Sequence, residues 1–432
     1  MNDGRETPGS ADPLHMTSPA PASLDPRSWV EIDLDALRHN ATAVRNQAGP
    51  ERRIMAIVKA NAYGHGLGPV VRALAGHVDL FGVANVTEGL ELRTHLPDAE
   101  VFLLGPALPH ERAEIVRAGF IPSISDADEA RAFAEHAKGA PIPIHLVMDT
   151  GMGRMGVWQE EALQVVQKIL EVPAVKITGL ASHLPSADDD NHFTQRQLVR
   201  FHAFAVQLRN AGVEAATLHI ENSAGLLGHI QQAGDMVRPG IMLYGHAPMP
   251  QWQHVLRPAL TWKTRIALIR QVSGGRSISY GRTYVTTRGT HIGTLPVGYA
   301  DGFQRQLSGQ NAHVLIGGRR CLVVGRVTMD QIMVDLAPTL DPKVGDEVVL
   351  IGSQGSDTIP VAEVAKKADT IPWEIFTGIG HRVVRRYLGE ASRPPEPVAV
   401  KPIAQAPLSP LLPPPLPLPP HVSGGANLPE KK

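Results

Sequence analysis

The sequence predicts an α/β fold, a (β/α)8 TIM-type barrel followed by a mainly β C-terminal domain. Three observations lead there. Eight short apolar runs alternate with amphipathic helical stretches through the first half of the chain. After about residue 255 that rhythm gives way to β-type runs that follow one another directly. Finally, polar side chains suited to chemistry stand just past the ends of the apolar runs, which is where a barrel of this kind carries its active site.

The apolar runs are RIMAIVKA, DLFGVAN, EVFLLG, FIPSISD, PIHLVMD, KITGLASH, ATLHIEN and MVRPGIMLYG. Between them lie helical patterns such as HERAEIVRAG, DEARAFAEHAKG, EALQVVQKILE and QRQLVRFHAFAVQLRNAG. Eight parallel strands in this length suit a closed barrel, and an open doubly wound sheet gives a similar rhythm. In the second half IGTLPVGYADG, AHVLIGGRRCLVVGRVT, QIMVDLAP and DEVVLIGS read as strands, with VAEVAKKAD as the one short helix candidate.

Composition narrows the function. A chain of 432 residues, 43% hydrophobic and 19% charged, has material for a large core. The 41 basic and 42 acidic residues give a formal net charge of -1, which argues against nucleic acid or an anionic membrane as partner and favours a small neutral or zwitterionic substrate. The single cysteine, Cys321, excludes an internal disulfide. The opening MNDGRETPGSADP has neither a basic start nor an apolar core, and no run of about 18 apolar residues exists, so a cytoplasmic protein without a membrane span is expected. Residues 1–27 and 389–432, the latter containing LSPLLPPPLPLPP, read as tails that build no core.

The polar residues past the strands are Lys59, then Asp149 and Arg154, His183, the group His219, Asn222 and Ser223, and Arg238 before Gly240. Each alone has a bland reading: a solvated edge lysine, a hydrogen-bonded core histidine, a surface arginine. Together on one rim they describe a site. A lysine partly desolvated at a barrel mouth has a lowered pKa, and its neutral amine can condense with an aldehyde, of which pyridoxal phosphate is the obvious example. Loops after strands seven and eight commonly cradle a phosphate, and Ser223, Gly240 and Ile241 stand there. YGHGLGP lacks the G-x-G-x-x-G spacing of a dinucleotide site, and nothing suggests a metal.

Seven motifs, AIVKANAYGHG, DTGMGRMGV, HIENSAG, VRPGIMLYG, SISYGRTY, LPVGYADGF and GRVTMDQ, resemble in order those of alanine racemase, a fold-type III pyridoxal-phosphate family, from about residue 28 to about residue 385. The resemblance implies an obligate homodimer whose two active sites are shared. It implies a first strand at 28–39 that joins the β domain, a barrel over 40–255 and a β-rich domain over 256–388. Lys59 resembles the residue that holds the cofactor and acts as one base, and Tyr280 the opposing base supplied by the other subunit. Tyr63, Ser223, Gly240 and Ile241 match the phosphate-binding positions, and Arg238, with His219 behind it, matches the partner of the pyridine nitrogen. Arg154 and His183 match a network that favours the tyrosine phenolate, with Arg154 also a substrate-binding and His183 a cofactor-binding position. Met329 and Asp330 match the segment that receives the substrate carboxylate, and Tyr299 an entrance residue. The implied activity is interconversion of L- and D-alanine, a source of D-alanine for peptidoglycan.

Two positions depart from the pattern. Val147 stands where some members carry a carbamylated lysine, and His381 stands where many have a second gate tyrosine, which leaves entrance size and substrate range open. Competing readings are a broader-specificity amino-acid racemase, a pyridoxal-phosphate carrier protein and a fold-type III decarboxylase. The carrier lacks a β domain and so lacks counterparts of SISYGRTY and TMDQ; the decarboxylase needs a partner-supplied cysteine motif that is missing here.

Overall fold

The computed structural model describes residues 25–213, 216–228 and 234–389, so of the two tails expected from the sequence all but residues 25–27 and 389 lie outside the described residues. Strand β1 (Ser28–Asp33) runs straight into the helix Leu34–Ala48. Asp33 ends one element and starts the other, because its carboxylate accepts the N–H groups of Asp35 and Ala36, both at 2.9 Å.

The eight predicted runs all contain strands. They are β2 (Arg53–Ile57), β3 (Leu80–Val83), β4 (Val101–Leu103), β5 (Ile121–Ile124) and β6 (Ile142–Asp149), which has the two-residue β7 (Val157–Trp158) beside its end. β8 (Val175–Ala181), β9 (Thr217–His219) and β10 (Met236–Val237) complete them. The parallel order is β10-β2-β3-β4-β5-β6-β8-β9. At the remaining seam the Asp235 N–H donates to Leu218 O at 2.8 Å, and the Leu218 N–H donates to the Asp235 carboxylate at 2.9 Å. This is a nearly closed barrel, not an open doubly wound sheet.

The eighth strand is shorter than its sequence suggests. Of MVRPGIMLYG only Met236 and Val237 join the ladder, since Pro239 has no N–H to give and Ile241–Tyr244 winds into a 3-10 turn. The run ATLHIEN is likewise a strand only over Thr217–His219.

The β domain holds β11 (Leu260–Arg265), β12 (Leu268–Val272), the small hairpin β13 (Ser277–Ile278) and β14 (Tyr284–Val285), and β15 (Thr290–Leu295). It continues with β16 (His313–Ile316), β17 (Arg319–Val324), β18 (Ile332–Asp335), β19 (Glu347–Gln354), β20 (Asp357–Ile359) and β21 (Val384–Leu388). The main sheet runs β12-β15-β18-β17-β16-β19-β11-β1-β21, with β20 beside β19. β1 therefore lies between two strands from the far end of the chain, antiparallel to β11 and parallel to β21. Cys321 is fully buried in β17. The expected helix forms at Val361–Lys367, and a second one that the sequence did not suggest forms at Pro372–Thr377, with proline at its start where no N–H is needed.

One continuous apolar core includes barrel residues such as Ile54 and Phe102 together with Trp262, Leu315 and Ile332 of the β domain. At the junction the fully buried Asn40 acts as a polar rivet. Its Nδ2 donates to Leu243 O at 3.1 Å and Arg257 O at 2.8 Å, and its Oδ1 accepts from the Arg257 N–H at 2.8 Å. Asn40→Leu leaves those backbone groups unpaired in the interior. It is expected to lower unfolding stability by roughly 2–5 kcal/mol, read as a shifted urea midpoint at constant slope. A midpoint equal to the parent's would contradict this role.

Candidate active site

Lys59 stands just beyond β2, half-buried at the barrel mouth. The four residues after it form a left-handed turn: Ala60, Asn61, Ala62 and Tyr63 have φ of 53°, 54°, 53° and 52°. Gly64 and Gly66 follow with φ of 78° and 96°, so four side-chain-bearing residues share the left-handed region with two glycines. Such a conformation costs roughly 1–2 kcal/mol per residue, so the surroundings must hold it. The N–H groups of Gly64, His65 and Gly66 close the turn on Ala60 O, Ala62 O and Asn61 O at 2.9–3.0 Å. The Asn61 carboxamide accepts the Leu67 N–H at 2.7 Å and so starts the next helix. Gly64 has its own reason to lack a Cβ, since one would lie 2.3 Å from Phe376 O.

Around the amine sit two further cations. Arg154, in the loop after β6, is exposed, while Arg238, after β10, is buried. Among the described residues no carboxylate forms an ion pair with Lys59, Arg154 or Arg238. Burial first, then Arg154 and Arg238, pushes the Lys59 pKa down, with Glu88 opposing. Burial and then Arg154 push the Arg238 guanidinium down to about 9, still charged at neutral pH.

Arg238 is held by neutral acceptors. Its Nη1 donates to His219 Nδ1 at 2.7 Å and to His219 O at 2.6 Å, and its Nη2 donates to Ser182 O and, at 3.3 Å, to His183 Nδ1. The tautomers follow because arginine only donates. His219 must accept at Nδ1, so its proton is on Nε2, which points at His145 Nδ1 at 2.8 Å. His145 then accepts at Nδ1 and is protonated at Nε2. Burial first, and Arg238 among the other causes, keeps all three rings neutral: the pKa falls to about 3 in His145 and His183 and well below the ordinary value in His219. The ring of His145 has room only because Gly179 faces it across the β6/β8 ladder; a Cβ there would sit 2.4 Å from the imidazole. His145 was not anticipated from the sequence, where it reads as one more residue of an apolar strand.

Across the mouth is a cup. The Ser223 hydroxyl accepts the N–H groups of Gly240 at 3.0 Å and Met242 at 3.4 Å, with Ile241 buried between them. Ser223 begins a short helix capped by Asn222, whose Oδ1 accepts the Gly225 N–H at 2.9 Å and whose Nδ2 donates to Leu184 O at 2.9 Å. The Tyr63 ring stacks on Tyr244 with centroids 4.7 Å apart. Gly240 lets the Tyr63 hydroxyl in, as a Cβ at 240 would lie 2.5 Å from that oxygen. Burial raises the Tyr63 pKa well above the ordinary phenol, so the hydroxyl is a donor at neutral pH.

The remaining predicted residues belong to the β domain and face outward. Tyr280 is 70% exposed, Met329 52% and Tyr299 41%; Asp330 and His381 are also exposed. Tyr299 and Met329 are stitched together, since the N–H groups of Tyr299 and Ala300 donate to Thr328 O and Met329 O, both at 3.0 Å. Arg382, next to His381, bonds Asp330 at 2.9 Å and Asp301 at 2.9 Å. Val147 lines the wall between Arg154 and His183 without a polar atom to offer. Among the described residues no group of three or more His, Cys, Asp or Glu is placed to hold a metal ion, and no helix is long and apolar enough to cross a membrane.

Fold and site define a barrel enzyme with a lysine amine at its mouth and a β domain joined to it. The sequence profile of the alanine racemase N-terminal domain matches residues 32–248, and that of the C-terminal domain matches residues 259–387. The chain belongs to the alanine racemase family. It is 44% identical over 371 residues to the alanine racemase of Symbiobacterium thermophilum, covering 84% of this chain and 98% of that one. It is 42% identical to that of Halothermothrix orenii, covering 83% and 96%. Among solved structures, the alanine racemase from D-cycloserine-producing Streptomyces lavendulae aligns with a TM-score of 0.79 at 36% identity, covering 85% of this chain and 98% of that one. The Bartonella henselae alanine racemase with covalently bound pyridoxal phosphate aligns at 0.77 and 29% identity, covering 84% and 100%.

The neutral histidines give a pH prediction. His145 and His219 have folded pKa values below the unfolded value near 6.5, so between about pH 6.5 and pH 3 the unfolded chain binds more protons and stability falls as pH falls. Each ring contributes up to about 1.4 kcal/mol per pH unit in that window. His145→Asn keeps an acceptor near Nδ1 but removes the titration, and is expected to flatten the acid limb of urea midpoint against pH. An unchanged limb would count against a neutral His145.

Proposed function

We propose that this chain is a pyridoxal-phosphate-dependent racemase that interconverts L- and D-alanine. The observation that carries the reading is a lysine amine of lowered pKa beside two guanidiniums, Arg154 and Arg238, that no carboxylate ion-pairs among the described residues. Such a rim suits a ligand that brings a phosphate and a carboxylate of its own. The cup supports the same group, because Gly240 leaves room for the Tyr63 hydroxyl beside Ser223. When bound, the cofactor supplies an electron-withdrawing ring that acidifies the substrate Cα–H.

The chain's own residues then divide the work. Lys59 carries the cofactor through its amine and moves a proton on one face of the substrate. Tyr63, Ser223, Gly240 and Ile241 hold the phosphate. Arg238 donates toward the ring nitrogen and, being unable to release a proton there, keeps the ring a moderate electron sink, which favours return of the proton to Cα. Tyr280 of a second copy is the base on the other face. Arg154, with its guanidinium, orients substrate and lowers the pKa of that phenol, and His183 stays neutral beside it. The Met329 backbone receives the substrate carboxylate, while Asp330, Tyr299 and His381 border the entrance.

A homodimer with shared sites is part of this reading. Tyr280 and Met329 project from the β domain with more than half of their surface exposed, as residues destined for another copy's mouth should. The division into a barrel over 40–255 and a β domain over 256–388, a cytoplasmic location and a role in supplying D-alanine for peptidoglycan belong to the same proposal.

Lys59→Ala is expected to abolish racemisation and the borohydride-trapped pyridoxyl adduct; an adduct found at another lysine refutes the assignment. Tyr280→Phe should slow solvent-deuterium exchange from one enantiomer by about 100-fold or more while sparing the first proton abstraction from the other. Mixing the two inactive variants should restore activity through one intact site per hybrid dimer. Failure of the mixture to recover any activity counts against shared sites. A panel of amino acids of increasing side-chain size measures what His381 and Val147 do to substrate range.

A further inference from the structure

The left-handed turn after Lys59 is gripped from outside by a residue that belongs neither to the seven motifs nor to the catalytic and cofactor-binding set. Glu88 is the third residue of the helix Val86–His95, whose cap Asn85 accepts the Glu88 N–H at 3.1 Å. A glutamate in that position ordinarily folds back onto its own helix start. The neighbouring helix Ala127–Ala134 shows the local form: capped by Asp126, it has Glu129 accept the Ser125 N–H at 2.6 Å. Glu88 does this with one oxygen only, Oε2, which accepts the Ala84 N–H at 2.8 Å. Its other oxygen, Oε1, crosses to the next loop and accepts the Ala60 N–H at 2.7 Å.

That N–H belongs to the peptide bond joining Lys59 to Ala60, and Ala60 is the first residue of the turn. One carboxylate thus pins the loops after β2 and β3 together at the residue that presents the amine. The ionisable groups facing Lys59 are Arg154 from the loop after β6, Arg238 from the loop after β10, the neutral His183 from the loop after β8, and Glu88. Arg154 and Arg238 destabilise a protonated Lys59, and Glu88 favours it.

We propose that Glu88 is a positioning residue for Lys59: its bridge between the Ala84 and Ala60 N–H groups fixes the peptide that follows the lysine. Its negative charge, facing the amine, opposes that of the two guanidiniums. The proposal rests on the reading that Lys59 carries the cofactor. A residue that served only as a helix cap would hold Ala84 and leave the lysine's titration alone.

The test uses the full-length chain freed of cofactor. Competitive labelling with a limiting amine-acylating reagent across a pH series, with the Lys59 peptide quantified by mass spectrometry, reads the Lys59 midpoint directly. The exposed Lys343 serves as internal reference for reagent reactivity, and the shielded Lys263, paired with Glu31 and Glu347, for an intact fold. Glu88→Gln keeps an oxygen acceptor and removes the charge, and the Lys59 midpoint is expected about one unit lower than in the parent. A midpoint unchanged or raised overturns the proposal. Glu88→Ala loses the bridge as well, and pyridoxyl incorporation at Lys59 after borohydride should fall about tenfold, with Glu88→Gln recovering most of it. Parental incorporation in Glu88→Ala also overturns it. Because the labelling midpoint does not involve racemisation, it separates this proposal from the functional reading, which stands or falls with Lys59→Ala.

Discussion

A buried arginine charge that no carboxylate ion-pairs is the constraint around which the barrel mouth is arranged. Arg238 is buried yet bonded only to carbonyls and imidazole nitrogens, which leaves its full charge available to whatever enters. A carboxylate in place of His219 would have satisfied it more cheaply and cancelled that field. The histidines answer the same constraint: beside a guanidinium, neutral rings are the form that costs least, and donor-only arginine then dictates which nitrogen of each ring keeps the proton. A chain of three side chains, Arg238, His219 and His145, thus has a single consistent protonation pattern.

A second requirement is rigidity where the backbone is strained. Left-handed residues other than glycine persist when their surroundings over-determine them, and the Lys59 turn is surrounded in that way. Asn61 fixes its end, Glu88 its start, and Phe376 closes over Gly64 from the β domain. Arg385 of β21 adds a bond from Nε to Gly64 O at 3.2 Å. The β domain therefore buttresses the amine of its own barrel, besides offering Tyr280 and Met329 to the outside.

Much of this was legible in the sequence, and the parts that were not have physical reasons. Parallel strands buried on both faces read as unbroken apolar runs, so RIMAI and FIPSI announced themselves, and the switch to alternating runs after the barrel marked the β domain. The last barrel strand was over-read because Ile241–Tyr244 is as apolar as a strand while following a proline. The helix Pro372–Thr377 spans too few residues to show a period. Left-handed geometry at Ala60 and Ala62 has no signature in side chains, since it is imposed from elsewhere. His145 sat in a run that read as core and Glu88 did not stand out at all, because a residue's reach across loops appears only in three dimensions. The run pattern placed Lys59, Ser223 and Arg238 past strand ends on one rim, and motif resemblance added Tyr63 and the roles of the others.

The position of β1 has a consequence for how the protein is made. This strand is made before every other described strand, yet its two sheet neighbours, β11 and β21, are synthesised more than two hundred and more than three hundred residues later. One edge of β1 must stay unpaired until β11 has emerged and the other until β21 has, intervals in which chaperones or aggregation compete for them. A fragment that starts at the β domain would carry β21 without the strand that joins it to the sheet, so β1 and β21 must be present together for that half of the molecule to close.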